Sequence, residues 1–259
     1  MENDLIERVR DQLAIATVCP DPGASRKLKH IAARLAFLEM VKIPGIDSGD
    51  LFDQIHQCFE AHSLNRPYHD WYHTCCVVEG TIHGLRYFLK ASISELSETE
   101  QIDVNSTILA AAFHDVGHTG VKEPDIVNVS RSIMIAYRFM LDGGMNLAGG
   151  VDIPLLLETL QCTQYPYKRD PLNEYQAILR DADLLQVLEP TWFDDLYINM
   201  YQEFLEGTPA LGFEQFCLNE MNFIKAATFY SKWYHDEKHA AFLDTAVTRV
   251  EKAYAAVCS

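Results

Sequence analysis

The amino-acid sequence predicts an all-α protein. Apolar residues recur at the three- and four-residue spacing of a helix along most of the 259 residues. Capping residues, glycines and prolines divide the chain into segments of helix length, and no segment alternates apolar and polar residues as a half-buried strand does. With 48% hydrophobic and 11% aromatic residues, the chain can bury a substantial core.

Three helices are predicted before residue 65. They cover about 4–18, 25–42 and 49–62, and the turn sequences Pro20-Asp21-Pro22-Gly23 and Pro44-Gly45 separate them. The apolar stripes of these helices are, in order, Leu5, Ile6, Val9, Leu13 and Ala16; Leu28, Ile31, Leu35 and Leu38; and Leu51, Phe52, Ile55 and Phe59.

The middle of the chain continues this pattern. Asn65 is suited to cap a helix that runs to about residue 90 and carries His69 and His73. Ser97-Glu98-Thr99-Glu100 has the form of a capping box and begins a helix that reaches His114-Asp115. Further helices are predicted over about 128–141, 155–161, 172–187 and 190–207, with two more between 213 and 257. We expect one compact unit, with residues 1–45 as a helical N-terminal extension and residues 46–259 as the main domain.

The balance of charge excludes one class of partner. The formal charge is −16 at pH 7, from 37 acidic and 21 basic residues. The chain therefore lacks the cationic surface that stable nucleic-acid binding requires. A small anionic substrate is compatible with this charge where a bound divalent metal supplies local positive charge.

Cysteine usage and hydropathy indicate a cytoplasmic protein. The seven cysteines form no CxxC pair, which argues against a cysteine zinc site and a disulfide framework. The N-terminus leads into no apolar run of signal-peptide type, and no run of 18 apolar residues could span a membrane. We therefore expect a soluble intracellular protein without a membrane partner.

Two short sequences combine paired histidines with acidic residues. They are Tyr68-His69-Asp70-Trp71-Tyr72-His73 and Phe113-His114-Asp115-Val116-Gly117-His118. On a helix, four-residue spacing directs both imidazoles of a pair to one side. His114 and Asp115 add a nitrogen and an oxygen donor at adjacent positions, and this is the ligand mixture that Zn²⁺, Mn²⁺ and Fe accept. The sequence therefore predicts a metal site that contains His73, His114 and Asp115.

A fourth metal ligand is expected from a later helix. Asp183 lies within an apolar run that includes Leu184 and Leu185, and a carboxylate buried there without a partner would be costly. Asp181 lies two residues earlier, on a different side of the same predicted helix, and is the alternative. We favour Asp183.

The order His73, His114-Asp115, Asp183 on successive helices resembles the HD superfamily of metal-dependent phosphohydrolases. The two histidine sequences further resemble the signatures of class I cyclic-nucleotide phosphodiesterases. The resemblance covers about residues 50–245, although its specific motifs are confined to three short stretches. It implies a compact multi-helix catalytic domain with the metal site between helices.

The resemblance also implies a role for each site residue. His73, His114, Asp115 and Asp183 would hold the first of two divalent ions, with Zn, Mg, Mn and Fe as the candidates. Asp115 would bridge to a second ion completed largely by water, and His118 would lie beside that ion. Two such ions can convert a bridging water to hydroxide at neutral pH. His69 would be the general acid that protonates the leaving oxygen, and a histidine on the helix surface is the alternative for this residue.

Several positions depart from the family pattern. Phosphodiesterases usually have Asn where this chain has Asp70, and Asp where it has Cys76. The glutamine that grips the purine in the family aligns with Glu220, and Gln215 lies little more than one helical turn away. Glu220 and Gln215 are therefore the candidates for substrate binding, and preference for a purine cyclic nucleotide is left open.

The sequence predicts an enzyme that cleaves a small anionic phosphate ester, most readily a phosphodiester of a cyclic or linear nucleotide. A nucleotide phosphomonoesterase of the 5'-nucleotidase type could use the same site. A di-iron oxygenase of the HD type would need further histidines before the final aspartate, and none occurs between Thr119 and Asp183. The four metal ligands together with His69 disfavour a binding module without activity.

Overall fold

The computed structural model describes residues 22–64, 66–90, 93–142, 149–189 and 191–258, together with Ile6, Arg8, Val9 and Leu147. Helices supply the regular secondary structure of these residues, which contain no β-strand. The predicted all-α fold is confirmed. Most of the first predicted helix lies outside the described residues, as does its terminating Pro20-Asp21 pair, although Ile6, Arg8 and Val9 are helical. The predicted cap Asn65 also lies outside them.

The described helices follow one another with short connections. In chain order the α-helices are Pro22–Met40, Ser48–His62, Trp71–Leu89, Glu98–Phe113, Asp125–Asp142, Ile153–Gln161, Glu174–Asp183, Met200–Gly207, Phe213–Ala226, His239–Ala241 and Thr248–Val257. Short 3-10 segments occur at Ile93–Glu95, Gly120–Lys122 and Leu184–Leu188, and π-helical turns at Phe193–Asn199, Tyr234–Lys238 and Phe242–Val247. The capping box at Ser97 forms as predicted, with reciprocal hydrogen bonds to Glu100.

Helix Trp71–Leu89 lies at the centre of the first half of the fold. It packs against Pro22–Met40, Glu98–Phe113 and Glu174–Asp183. Helix Glu174–Asp183 approaches helix Trp71–Leu89 closely because Gly80 and Gly84 face it. A Cβ atom at Gly84 would lie 2.6 Å from Cγ2 of Ile178, and one at Gly80 would lie 3.2 Å from the Cβ of Ala182. This packing brings the helix that ends at Asp183 against the helix that carries His73.

The buried face of helix Pro22–Met40 differs from the predicted stripe. Leu28, Ile31 and Leu35 are exposed, whereas Phe37 and Met40 are buried. Both faces of this helix are apolar, and the larger side chain of Phe37 fills the space beside Phe52. Hydrophobic spacing alone could not rank the two faces.

The apolar core consists of two clusters. The first contains Phe37, Phe52 and Phe113 and joins the helices up to Asp183. The second is aromatic and contains Tyr197 and Phe216 from the C-terminal third. A cavity lined by residues of both halves lies where they meet. None of the described helices combines the length and apolar character needed to cross a membrane.

Candidate active site

His73 lies in the first turn of helix Trp71–Leu89, whereas His69 lies in the segment that precedes this helix. The helix begins at Trp71, and its N-cap Asp70 accepts a hydrogen bond from the backbone N–H of His73 at 3.0 Å. The prediction that one helix carries both histidines is therefore wrong, because His69 precedes the helix. Aspartate is among the strongest N-cap residues, so Asp70 fixes the first turn that carries His73.

His114 and Asp115 lie at the end of helix Glu98–Phe113. His114 is the C-cap residue, and its Nδ1–H donates to the carbonyl oxygen of Ala111 at 2.7 Å. This bond leaves Nε2 of His114 free for a cation. Beyond Asp115 the chain turns at Gly117, whose φ of 77° is one that residues with a Cβ rarely adopt. The turn brings His118 back towards the cavity.

Four side chains from three parts of the chain converge on one point. Nε2 of His73 lies 3.2 Å from Nε2 of His114, 3.3 Å from Oδ2 of Asp115 and 3.2 Å from Oδ1 of Asp183. Nε2 of His114 lies 3.1 Å from Oδ2 of Asp115 and 3.6 Å from Oδ1 of Asp183. Ligand atoms that each lie about 2.1 Å from one ion are separated by similar distances. The ligand atoms of His73, His114 and Asp183 all lie within 4.8 Å of one another and fit a single cation, and Asp115 lies beside the two histidines.

The electrostatics of this cluster favour positive charge at its centre. Burial lowers the pKa of His73, but hydrogen bonds and charges from Asp115 and Asp183 outweigh it and raise the pKa to about 10. The same two carboxylates raise the pKa of His114 well above its usual value despite burial. Burial raises the pKa of Asp183, but the two histidines outweigh it and hold that pKa below its usual range. A divalent cation would supply the charge that these groups otherwise take from protons.

Asp181 does not join this cluster. Its buried carboxylate accepts hydrogen bonds from the backbone N–H groups of Tyr230 at 3.1 Å and Ser231 at 2.7 Å. Asp181 therefore ties helix Glu174–Asp183 to the C-terminal third of the chain. Asp183 is the acidic residue of this helix that meets the two histidines.

A second polar cluster surrounds His69. The Oε2 atom of the buried Glu203 accepts a hydrogen bond from Nδ1 of His69 at 2.7 Å, and its Oε1 accepts from the backbone N–H groups of Tyr68 and His69. The ring of His118 stacks on His69 with centroids 3.6 Å apart. His69, His118 and Glu203 offer ligand atoms within 4.8 Å of one another, so this trio could also hold a metal. Sequence analysis missed Glu203, because its helix carries no recognisable motif.

The two stacked histidines have opposite pKa shifts. Burial lowers the pKa of His69, but the hydrogen bond to Glu203 and the charge of Asp115 outweigh it, so the pKa is raised. Burial and the charge of His69 lower the pKa of His118, whose Nδ1 accepts a hydrogen bond from the backbone of Gly120. Paired groups whose pKa values are pushed apart are a property of acid-base sites. These shifts favour the charged form of His69 and the neutral form of His118.

These residues line one cavity of about 550 Å³. Its wall contains the polar residues His69, His73, Asp115, His118 and Asp183 and the apolar residues Val187, Leu196, Met200, Phe204 and Ile224. Six carboxylates and no lysine or arginine occur among the described residues of its wall. Glu220 lines the cavity and is 7% exposed, whereas Gln215 is exposed, bonds to Asn219 and does not line the cavity.

Comparison with known families extends this description. The helical fold and the histidine-aspartate cluster agree with the resemblance that the sequence shows. Residues 68–140 match the model of the family described as 3'5'-cyclic nucleotide phosphodiesterase. The match covers less than a third of the chain but includes both histidine sequences. It confirms the predicted resemblance and supports an enzyme of the hydrolase class. No curated protein matches the chain.

Proposed function

We propose that the protein is a metal-dependent phosphodiesterase that cleaves one P–O ester bond of a nucleotide, with cyclic nucleotides as the first candidates. One observation carries this proposal. His69, whose imidazole is held by Glu203, lines the same cavity as His73, Asp115 and Asp183 of the histidine-aspartate cluster. A general acid beside a cation site is the arrangement that hydrolysis of a phosphate ester requires.

The charge of the cavity supports a role for metal ions. Its wall carries six acidic side chains and neither lysine nor arginine among the described residues, so bound cations would strengthen its attraction for an anionic phosphate. We assign one divalent ion to His73, His114, Asp115 and Asp183, and a second ion to Asp115 with water, beside His118. Bound there, the ions would supply a hydroxide nucleophile and neutralise the phosphoryl oxygens.

His69 completes the reaction on the leaving side. Because the Nδ1–H of His69 donates a hydrogen bond to the carboxylate of Glu203, the proton available for transfer is the one at Nε2. The oxygen of a water molecule forms the new bond to phosphorus, the ester P–O bond breaks, and the leaving oxygen takes the proton from His69. The proton that the water loses passes to the solvent and balances the proton that His69 gives. A linear diester yields an alcohol and a phosphomonoester, and a cyclic nucleotide yields one nucleoside monophosphate.

The apolar and aromatic residues of the cavity wall are suited to contact the organic part of the substrate. Tyr165 and Phe223 meet edge to face at 5.3 Å on its wall and offer ring surface for stacking. Burial raises the pKa of Glu220 to about 8, so its carboxyl group is protonated at neutral pH and can both donate and accept hydrogen bonds. We propose that Glu220 contacts the base of the nucleotide, and Gln215, outside the cavity, has no part in this contact.

A turnover screen of the metal-loaded protein tests the proposed function. The substrates are cyclic nucleotides, linear dinucleotides, nucleoside monophosphates and bis(4-nitrophenyl) phosphate. We expect phosphodiesters to be cleaved, and Asp115→Asn to abolish cleavage and reduce metal content while the protein keeps its helical circular dichroism. Cleavage of nucleoside monophosphates alone would replace the proposal with a phosphomonoesterase. A metal-loaded protein that cleaves none of these compounds would overturn it.

The role of His69 has its own test. His69→Ala leaves the four proposed metal ligands untouched, so metal content should not change. Turnover should fall roughly 10²–10⁴-fold for a substrate with an alkoxide leaving group. The loss should be much smaller for bis(4-nitrophenyl) phosphate, because nitrophenolate departs without a proton. Equal losses on the two substrates would exclude His69 as the general acid.

A further inference from the structure

A second cavity shares a loop with the active-site cavity. This second cavity, the loop cavity, has a volume of about 300 Å³, and its described lining residues are Ile126, Gln161, Cys162, Gln164, Lys168 and Arg169. The same loop supplies Thr163, Tyr165 and Tyr167 to the wall of the active-site cavity. Neighbouring residues of one loop therefore line two different cavities.

The side chain of Gln164 is a nearly buried polar group of the loop cavity. Gln164 is 8% exposed. Its side-chain amide forms no hydrogen bond with any described residue, and yet it is not among the fully enclosed polar groups without a partner, as the amide nitrogen of Gln176 is. Because Gln164 lines the loop cavity, its amide opens into this space. A nearly buried amide usually has a hydrogen-bond partner, and the loop cavity is where that partner can bind.

The charge of the loop cavity is opposite to that of the chain. Lys168 and Arg169 line it, and none of its described lining residues is acidic, although the chain carries a formal charge of −16 at pH 7. Burial raises the pKa of the Cys162 thiol, and the charge of Arg169 opposes this shift. The guanidinium therefore lies near the thiol, on the wall of the loop cavity, where its other N–H groups can reach a ligand.

We propose that the loop cavity is a second anion site, which binds the phosphate group of a small molecule or free phosphate. The oxygens of a phosphate can accept hydrogen bonds from Lys168, Arg169 and the amide nitrogen of Gln164 together. A carboxylate, with two oxygens, would use this set of donors less fully. The volume is at the lower end of the range for small-molecule sites, which suits an anion of this size. The site goes beyond the proposed function, since none of its residues lines the active-site cavity.

Isothermal titration calorimetry of the metal-loaded protein with inorganic phosphate tests this inference. The double variant Lys168→Ala/Arg169→Ala should weaken binding at the loop cavity roughly tenfold or more, because each cation donates to a charged acceptor. Gln164→Leu leaves the net charge unchanged and should also weaken binding. Asp115→Asn, which alters the metal cluster, should keep this binding. A parallel titration with adenosine 5'-monophosphate distinguishes a phosphate ester from the free anion as the ligand.

Lys252→Ala is the matched control. It removes an exposed lysine that lines neither cavity, so this variant should bind phosphate as the wild type does. A folded double variant with wild-type affinity for both phosphate and adenosine 5'-monophosphate would overturn the inference. So would phosphate binding that Asp115→Asn abolishes and the double variant retains, because all of the phosphate would then lie at the metal cluster. Turnover tests the proposed function separately, so either proposal can fail while the other stands.

Discussion

The carboxylate of Glu203 lies 2.7 Å from Nδ1 of His69, although 134 residues separate them in the chain. Glu203 is fully buried, and its hydrogen bonds to the backbone of Tyr68 and His69 fix the segment before helix Trp71–Leu89. The same carboxylate therefore orients the imidazole and stabilises its charged form. His69, which lies outside the helix, is therefore held in position by a buried carboxylate.

Glu203→Gln should change the pH dependence of turnover. Glu203 raises the pKa of His69, so the amide should lower that pKa and deprotonate His69 at a lower pH. At a pH above the new pKa, each unit by which the pKa of His69 falls lowers the protonated fraction of His69 about tenfold. With an alkoxide leaving group, kcat should fall more at pH 8 than at pH 6, with metal content unchanged.

The control for this change is Glu206→Gln. Glu206 is three residues further along the same helix and pairs with Arg66 and Lys122 rather than with His69. This variant should keep the wild-type pH profile. Parallel wild-type and Glu203→Gln profiles would mean that Glu203 only supports the fold.

Asp183→Ala and Asp181→Ala should have different effects. Loss of Asp183 removes an oxygen donor from the cluster with His73 and His114, so metal content and turnover should both collapse. Loss of Asp181 leaves the buried N–H of Ser231 and the half-buried N–H of Tyr230 without their acceptor, and the buried group alone costs about 1–3 kcal/mol of stability. The metal content of Asp181→Ala should be unchanged. Elemental analysis and urea unfolding separate the outcomes, and loss of metal from Asp181→Ala alone would reverse the assignment.

Gln186→Ala should weaken metal binding without removing a ligand. The side-chain oxygen of Gln186 accepts the hydrogen bond from Nδ1 of His73, which leaves Nε2 for the ion, and Gln186 also bonds to the buried Asp195. Loss of such a supporting residue typically lowers metal affinity about 10–100-fold. Competition with a fluorescent chelator measures the change. Gln202→Ala, an exposed glutamine, is the control, and equal affinities in the two variants would exclude this role for Gln186.

Glu220→Gln should remove a pH dependence of stability. Burial raises the pKa of Glu220 from 4.5 to about 8, so between these values the folded protein holds a proton that the unfolded chain has lost. The contribution of Glu220 to stability is full below pH 4.5 and is lost as the pH rises through 8. The loss is about 1.4 kcal/mol per pH unit at most.

Urea unfolding at pH 5.5, 6.5 and 7.5 checks this prediction. Glu220→Gln should gain stability relative to wild type as the pH rises, because the amide does not titrate. Glu214→Gln, which changes an exposed carboxylate on the same helix, should follow the wild-type slope. A constant difference between Glu220→Gln and wild type at all three pH values would contradict the raised pKa.

The part of the site that sequence could predict is the part encoded by short spacing. The step His114-Asp115 and the preceding His73 could be selected from sequence because a metal site would impose residue types at fixed positions, and the structure brings these side chains together. Asp183 was recognisable because a carboxylate within an apolar run needs a partner. The all-α fold could be predicted from sequence because helical periodicity is a local property of the chain.

The remainder depends on tertiary packing. Glu203 reaches His69 only after its helix packs beside the segment before Trp71, and nothing in its own neighbourhood of the sequence marks it. Four-residue spacing placed His69 on a helix, but the stronger local effect was the Asp70 cap, which begins the helix after it. The wrong face was chosen for helix Pro22–Met40 because both of its faces are apolar.

Gly84 is not part of the histidine-aspartate cluster, and yet it sets the distance between the helices that carry His73 and Asp183. Even a methyl group at this position would lie 2.6 Å from Ile178 and 2.9 Å from the ring of Trp233, and it would push helix Glu174–Asp183 away from helix Trp71–Leu89. Asp183 is the last residue of the displaced helix. Whether His73 and Asp183 can share one ion is therefore decided in part by a hydrogen atom several helical turns from the ion.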